Sequence, residues 1–178
     1  MKTLCREIYG LCNKYDYQIK RGWEAEHVHG WEINLKILEA CKRNMRFSPH
    51  LIQGDYLNSK PKKPVDVIIA NPPYVRQEYL SSDYKKKLIE QFQPEFSGIK
   101  LSVRCDLYIY FLLKALKNLD KNGVFTFIIP NSWMDNSYGE ILRKLFRDEF
   151  QLLSITDSGS RHFKQEVNTV IISGVRKN

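Results

Sequence analysis

The chain is 178 residues long, with 43% apolar and 27% charged residues, and 28 Lys and Arg against 20 Asp and Glu give a formal net charge of +8. Those proportions are globular and exclude a disordered or fibrous polypeptide, and the length is that of one domain with a core of moderate size. The longest uninterrupted apolar run, Leu107 to Leu113, falls far short of the ~18 residues needed to cross a bilayer, and Met1 to Gly10 lacks the compact apolar core of a secretory signal, so a cytoplasmic protein with no membrane partner is expected.

In chain order, Leu4, Ile8, Leu11 and Tyr15 recur three or four apart and predict an amphipathic helix. A strand fits Glu26 to Glu32, a helix runs from Leu35 through Ala40 to Asn44, and Leu51 to Gln53 forms a short strand ending at Gly54. The segment Val65 to Ala70 is short, β-branched and almost wholly apolar, as a strand buried on both faces of a parallel sheet would be. Asn71-Pro72-Pro73 ends it. Arg76 to Arg104 is the least ordered-looking stretch, too long for an ordinary strand-to-helix loop, and insertions at strand ends often carry substrate contacts.

Asp106 is placed to cap a helix reaching about Leu119, after which Asn122-Gly123 supplies a left-handed turn into a second buried strand, Val124 to Ile129, closed by Pro130. Tyr138 to about Phe150 reads as a helix with Ile141, Leu142, Leu145 and Phe146 inward and Arg143, Lys144 and Arg147 outward. Strands follow at Leu152 to Thr156 and Thr169 to Val175. This alternation predicts an α/β domain with a mainly parallel sheet.

Cys5, Cys12, Cys41 and Cys105 form no Cys-x-x-Cys pair and read as buried reduced thiols. His27 and His29 alternate on a presumed strand with no third ligand in view, so no metal site is expected. The positive charge favours a polyanionic partner, although lysine runs such as Lys60 to Lys63 and Lys85 to Lys87 equally suit a solvated face.

The chemistry concentrates in Asn71-Pro72-Pro73-Tyr74, directly after a buried strand and therefore at the sheet edge where open α/β folds bind ligands. Two prolines fix φ and remove two backbone donors, which holds the Asn71 side chain and nearby carbonyls in one orientation. An aromatic exocyclic amine is a poor nucleophile because its lone pair is delocalised into the ring. Two acceptors, the Asn71 side-chain oxygen and the Pro72 carbonyl, would bind both N–H hydrogens, favour a tetrahedral nitrogen and free the lone pair. Tyr74 offers a flat face for an extruded base, worth ~1–3 kcal/mol of stacking.

Asn71-Pro72-Pro73-Tyr74 resembles the catalytic motif of amino-group methyltransferases, particularly the adenine-N6 DNA methyltransferases of restriction-modification systems. Asn71 to Gln77, the Lys85-Lys86-Lys87-Leu88 helix, Asp106-Leu107-Tyr108, Gly123 to Ile129, Asn131-Ser132-Trp133 and Tyr138-Gly139 with Leu142-Arg143 and Phe146 follow in the order of TaqI-like and type IIG modification enzymes. The resemblance implies a Rossmann-like fold and transfer of a methyl group from S-adenosylmethionine to adenine in double-stranded DNA. It further implies that Glu32 binds the cofactor ribose hydroxyls and that Ile33 lies against the cofactor adenine. By the same resemblance Asp55 accepts from the cofactor's adenine amine, with Tyr56 beside the ring, while Tyr74 and Phe163 hold the flipped target base. Asp106 resembles the acidic residue opening the family's next helix, a position that helix capping explains equally well.

The resemblance also exposes a gap. The nine glycines contain no G-x-G, so the glycine-rich loop that admits the methionine end of the cofactor is missing, and residues 1 to 25 look like the helix that would follow it. The family's first strand is central, and its absence would leave strand edges unpaired inside a core. The expectation is a single partial catalytic domain over residues 1–178, incomplete at its N-terminus, without a target-recognition domain, and completed by an upstream segment or a partner chain. Two alternatives stay open: a glutamine-amide or RNA-base methyltransferase using the same motif, and a catalytically silent fragment or split subunit.

Overall fold

A computed structural model describes residues 27–45, 48–61, 63–96, 98, 100–157 and 168–178. The predicted helix at Leu4 to Tyr15 lies outside these residues. The chain divides into two compact units, Met1–Lys60 and Pro61–Asn178, and each is described by itself.

In the first unit, strand β1 (His29–Glu32) pairs in parallel with β2 (His50–Gln53), in a register running from His29 opposite His50 to Glu32 opposite Gln53. Helix α1 (Leu35–Asn44) joins them. Asn34 caps it by accepting from the backbone N–H groups of Lys36 at 3.0 Å and Ile37 at 3.3 Å, and Lys42 and Arg43 in its last turn suit the negative end of the helix dipole. Leu38 and Cys41, three apart, form its buried stripe. The expected elements here hold to within a few residues. Cys41 is disulfide-bonded, which departs from the expectation of reduced thiols, whereas Cys105 is a free, buried thiol.

The second unit is a four-stranded sheet in the order β3 (Val65–Ala70), β4 (Leu119–Pro130), β6 (Thr169–Arg176), β5 (Phe150–Asp157). β3 and β4 are parallel, and β6 runs antiparallel to both β4 and β5. The sheet is thus mixed, with one reversed strand among the described residues. Helices α2 (Ser82–Phe92), α3 (Leu107–Asn118) and α4 (Glu140–Asp148) complete the unit.

Alternation along β4 puts Phe125, Phe127 and Ile129 on the buried side. Phe125 stacks on Phe127 and Phe146 and meets the edge of Phe150. α3 is apolar nearly all round and buries Tyr108, Ile109, Leu112, Leu113 and Leu116, as a helix covering a sheet must. The left-handed turn before the sheet-paired part of β4 is made by Asn122 (φ 60°) rather than Gly123; Asn tolerates this region better than other side-chain-bearing residues.

Two expectations are corrected. β3 is not buried on both faces: Ile69 is 41% exposed and Asp66 is exposed, because β3 is the end strand and pairs only with β4 among the described residues. The opposite end strand, β5, leaves Leu153 and Ile155 uncovered at 63% and 49% exposure. Arg76 to Arg104 is not an unstructured insertion, since it contains α2, capped by Ser81 and anchored through buried Leu88 and Phe92 four residues apart.

Candidate active site

The Asn71–Tyr74 tetrapeptide leaves the C-terminal end of β3 beside the parallel strand β4, at the edge the sequence predicted. Asn71 is 9% exposed, its side-chain oxygen is buried, and Pro72 is buried beside it.

The segment after it is pinned at several points. The Tyr74 hydroxyl donates to the carbonyl of Ile128 at 2.8 Å, and the Tyr74 ring meets the edge of Tyr108 with centroids 6.5 Å apart. The Val75 N–H donates to Pro73 O at 3.0 Å, and Val75 O accepts from Leu107 N at 3.0 Å, at the start of α3. Gln77 N donates to Asp106 Oδ1 at 2.8 Å, while its side-chain oxygen accepts from Lys85 Nζ at 2.7 Å.

The loop after β4 forms a second wall. The Tyr138 hydroxyl donates to Ser132 Oγ at 2.7 Å and approaches Asp106 Oδ2 at 3.5 Å, and Ser132 Oγ also lies 3.5 Å from the Tyr108 hydroxyl. Arg143, expected to face outward, is half-buried and donates from Nη1 to the carbonyls of Trp133, Met134 and Asn136, fixing this turn from α4. Gly139 explains the Tyr138-Gly139 pair: a Cβ there would collide with the backbone of Trp133. Burial pushes the Tyr108 hydroxyl far above its ordinary range and the Cys105 thiol up to about 11, so neither ionises near neutrality.

In the first unit, Glu32 and Asp55 stand at the same end of the β1–β2 pair, and Gly54 N donates to Glu32 O at 3.1 Å. Glu32 Oε1 accepts from Asn34 N at 2.8 Å, leaving its second oxygen without a bond among the described residues. Asp55 caps the short turn Tyr56–Asn58 through Leu57 N and receives Asn58 Nδ2 at 2.6 Å. Ile33 is 57% exposed, and the Tyr56 ring lies 5.7 Å from that of Trp31. His29 sits edge-on to His50, and no group of three metal-ligating side chains occurs among the described residues. Phe163 lies outside them.

Sequence reasoning missed the Gln77, Ser132 and Tyr138 contacts. The Asn131-Ser132-Trp133 and Tyr138-Gly139 pairs marked the right segments, but bonds across 29 to 32 residues leave no periodic trace.

Residues 12–163 match the family model described as Eco57I restriction-modification methylase. The chain belongs to this family. Among curated relatives, it is 34% identical over 116 residues to the type II methyltransferase M.BanIII of Aneurinibacillus aneurinilyticus, covering 65% of this chain and 19% of that protein. It is 33% identical over 107 residues to M.PaeR7I of Pseudomonas aeruginosa, covering 60% and 18%. The chain therefore spans about a fifth of the length of these relatives. Among solved structures, the methyltransferase subunit of a type I restriction-modification system from Streptococcus thermophilus superposes with a TM-score of 0.64 at 22% identity, over 84% of this chain and 34% of that one. The type IIG restriction endonuclease BpuSI gives 0.64 at 18%, over 83% and 19%. These likenesses show the methyltransferase-type α/β fold.

Proposed function

We propose that this family member takes part in methyl transfer from S-adenosylmethionine to the N6 amine of adenine in DNA, within a restriction-modification system. One observation carries the reading: an Asn-Pro-Pro-Tyr tetrapeptide with a buried Asn71 amide at the C-terminal end of a parallel strand, in a chain that matches a restriction-modification methylase family across both units. The reading takes residues 1–178 as one partial catalytic domain and implies a cytoplasmic protein, where the DNA is; no described helix is long and apolar enough to cross a membrane.

The chemistry of the donor set fits the nucleoside half of the cofactor, since two carboxylates at one end of the β1–β2 pair are acceptors for hydroxyls and an amine. Glu32 would take the ribose hydroxyls and Asp55 the adenine amine, with Ile33 and Tyr56 beside the ring. When bound, the cofactor supplies a methyl group on a positively charged sulfur. Asn71 Oδ1 and the Pro72 carbonyl would accept the two N–H hydrogens of the target amine while Pro73 keeps the turn rigid, freeing the amine lone pair to form the nitrogen–carbon bond as the methyl–sulfur bond breaks, with no covalent enzyme intermediate and the surplus amine proton passing to water. Tyr74, and Phe163 beyond the described residues, hold the flipped base.

Methyl incorporation into DNA, RNA and protein, measured with wild type and Asn71→Ala, tests this. Incorporation into DNA adenine that vanishes in the variant, with cofactor affinity kept within a few-fold, is expected. Unchanged turnover in the variant refutes the mechanism, and incorporation into glutamine amides or RNA replaces the substrate.

A second reading, a subunit completed by an upstream segment or a partner chain that supplies the glycine-rich cofactor loop, is favoured by the absence of any G-x-G. A folded chain that fails to bind S-adenosylmethionine until such a segment is added would establish it.

A further inference from the structure

Asp106 occupies the N-cap position of α3 with cap-like dihedrals (φ −68°, ψ 156°), yet its side chain makes no capping hydrogen bond. An aspartate there ordinarily accepts from the second or third N–H of its own helix. Instead, Oδ1 accepts from Gln77 N at 2.8 Å, 29 residues earlier in the chain. One residue on, Leu107 N donates to Val75 O at 3.0 Å. The two bonds run in opposite directions between the same two segments, one to a side-chain carboxylate and one to a backbone carbonyl, so they form a reciprocal clamp.

We propose that Asp106 is a positioning residue that holds the segment following the Asn71–Tyr74 tetrapeptide by gripping the backbone of Gln77. The clamp closes the loop on one side, and the Tyr74 hydroxyl on Ile128 closes it on the other. With Tyr74 bonded to Ile128 and Val75 and Gln77 bonded to the start of α3, the tetrapeptide cannot swing from the end of β3 without breaking one of these bonds. A carboxylate suits the task because a half-buried acceptor for a backbone N–H grips harder when charged. Burial pushes its carboxyl above the ordinary range, opposed by Gln77 N–H and the Tyr138 hydroxyl, as expected for a charge retained at some cost. The consequence for turnover rests on the methyl-transfer reading; the clamp itself does not.

The test compares wild type, Asp106→Ala and Asp106→Asn as full chains, by amide hydrogen exchange and by methyl transfer to DNA. Asn keeps the Oδ1 acceptor and Ala removes it. In the Ala variant, exchange at Gln77 should quicken about tenfold. Turnover at saturating substrate should fall about 10- to 100-fold, as for a misplaced reacting group, with the KM for S-adenosylmethionine unchanged and most of the rate restored by Asn. Unaltered Gln77 exchange, or acceleration confined to the first turn of α3, would overturn the proposal, as would an Asn variant as impaired as Ala. If Ala unfolds the chain, the Asn variant decides: protected Gln77 with near-normal turnover sustains the clamp, and exposed Gln77 refutes it. A wild-type chain inert on every substrate is the outcome the completed-subunit reading expects, and the exchange data then sustain or refute the clamp by themselves.

Discussion

The hydroxyl of Tyr74 reaches across to strand β4 and donates to the carbonyl of Ile128 at 2.8 Å. This ties the last residue of the tetrapeptide to the neighbouring parallel strand, with its ring edge-on to Tyr108. Tyr74→Phe keeps the ring and removes the bond. Loss of one net hydrogen bond should lower stability by ~0.5–1.5 kcal/mol, read as a lower urea midpoint at unchanged slope, and turnover should fall more than DNA binding. A midpoint equal to that of wild type would show that the bond is not maintained in solution.

Gly139 is sterically fixed. Gly139→Ala drives a methyl group into the Trp133 backbone, which no side-chain rotation relieves, so a loss of ~1–3 kcal/mol is expected. Because Arg143 binds the carbonyls of the same turn, Trp133 fluorescence should change together with the unfolding midpoint.

Glu32 is best probed with two variants. Glu32→Gln retains an acceptor for Asn34 N but presents an amide where the second carboxylate oxygen stood. Calorimetric titration of S-adenosylmethionine should show weakening in both Glu32→Gln and Glu32→Ala, with the thermal stability of the Gln variant close to wild type. Equal affinity in all three proteins would remove Glu32 from the cofactor site.

Asp106 predicts a pH dependence. Burial raises its carboxyl above the ordinary value, so the folded protein holds that proton more tightly than the unfolded chain. Its contribution to stability is then greatest below pH ~4, the unfolded range, and declines as pH rises through the folded value. The stability difference between wild type and Asp106→Asn, which does not titrate, should therefore move against wild type from acid toward neutral pH. Arg76, Glu78 and the Tyr138 hydroxyl are the neighbouring groups that adjust the range. A difference flat with pH would show that the carboxyl is unperturbed.

Local features were legible in the sequence because their signals are local. Helical spacing from Leu35 through Ala40 to Asn44 gave α1, and the apolar run Val65 to Ala70 gave β3. α2 was harder because Lys85, Lys86 and Lys87 mask a stripe of only Leu88 and Phe92. Asp106 shows the deeper difficulty: its capping position is a fact of sequence, while its actual partner, Gln77, is chosen by tertiary packing. Arg143 was placed outward by helical periodicity, yet its length lets it bend back to three carbonyls.

Among the described residues the two end strands of the four-stranded sheet are paired on one side only, which bears on how the purified chain behaves as a colloid. β3 carries exposed Ile69 and β5 carries exposed Leu153 and Ile155, and strands of this kind join edge to edge between molecules. What opposes that joining is the mutual repulsion of chains bearing +8. Added salt, the usual remedy for stripping nucleic acid from a basic protein, shortens the reach of that repulsion to roughly 8–10 Å at 0.1–0.15 M. Solubility should consequently fall as ionic strength rises and be greatest in dilute, low-salt, mildly acidic buffers.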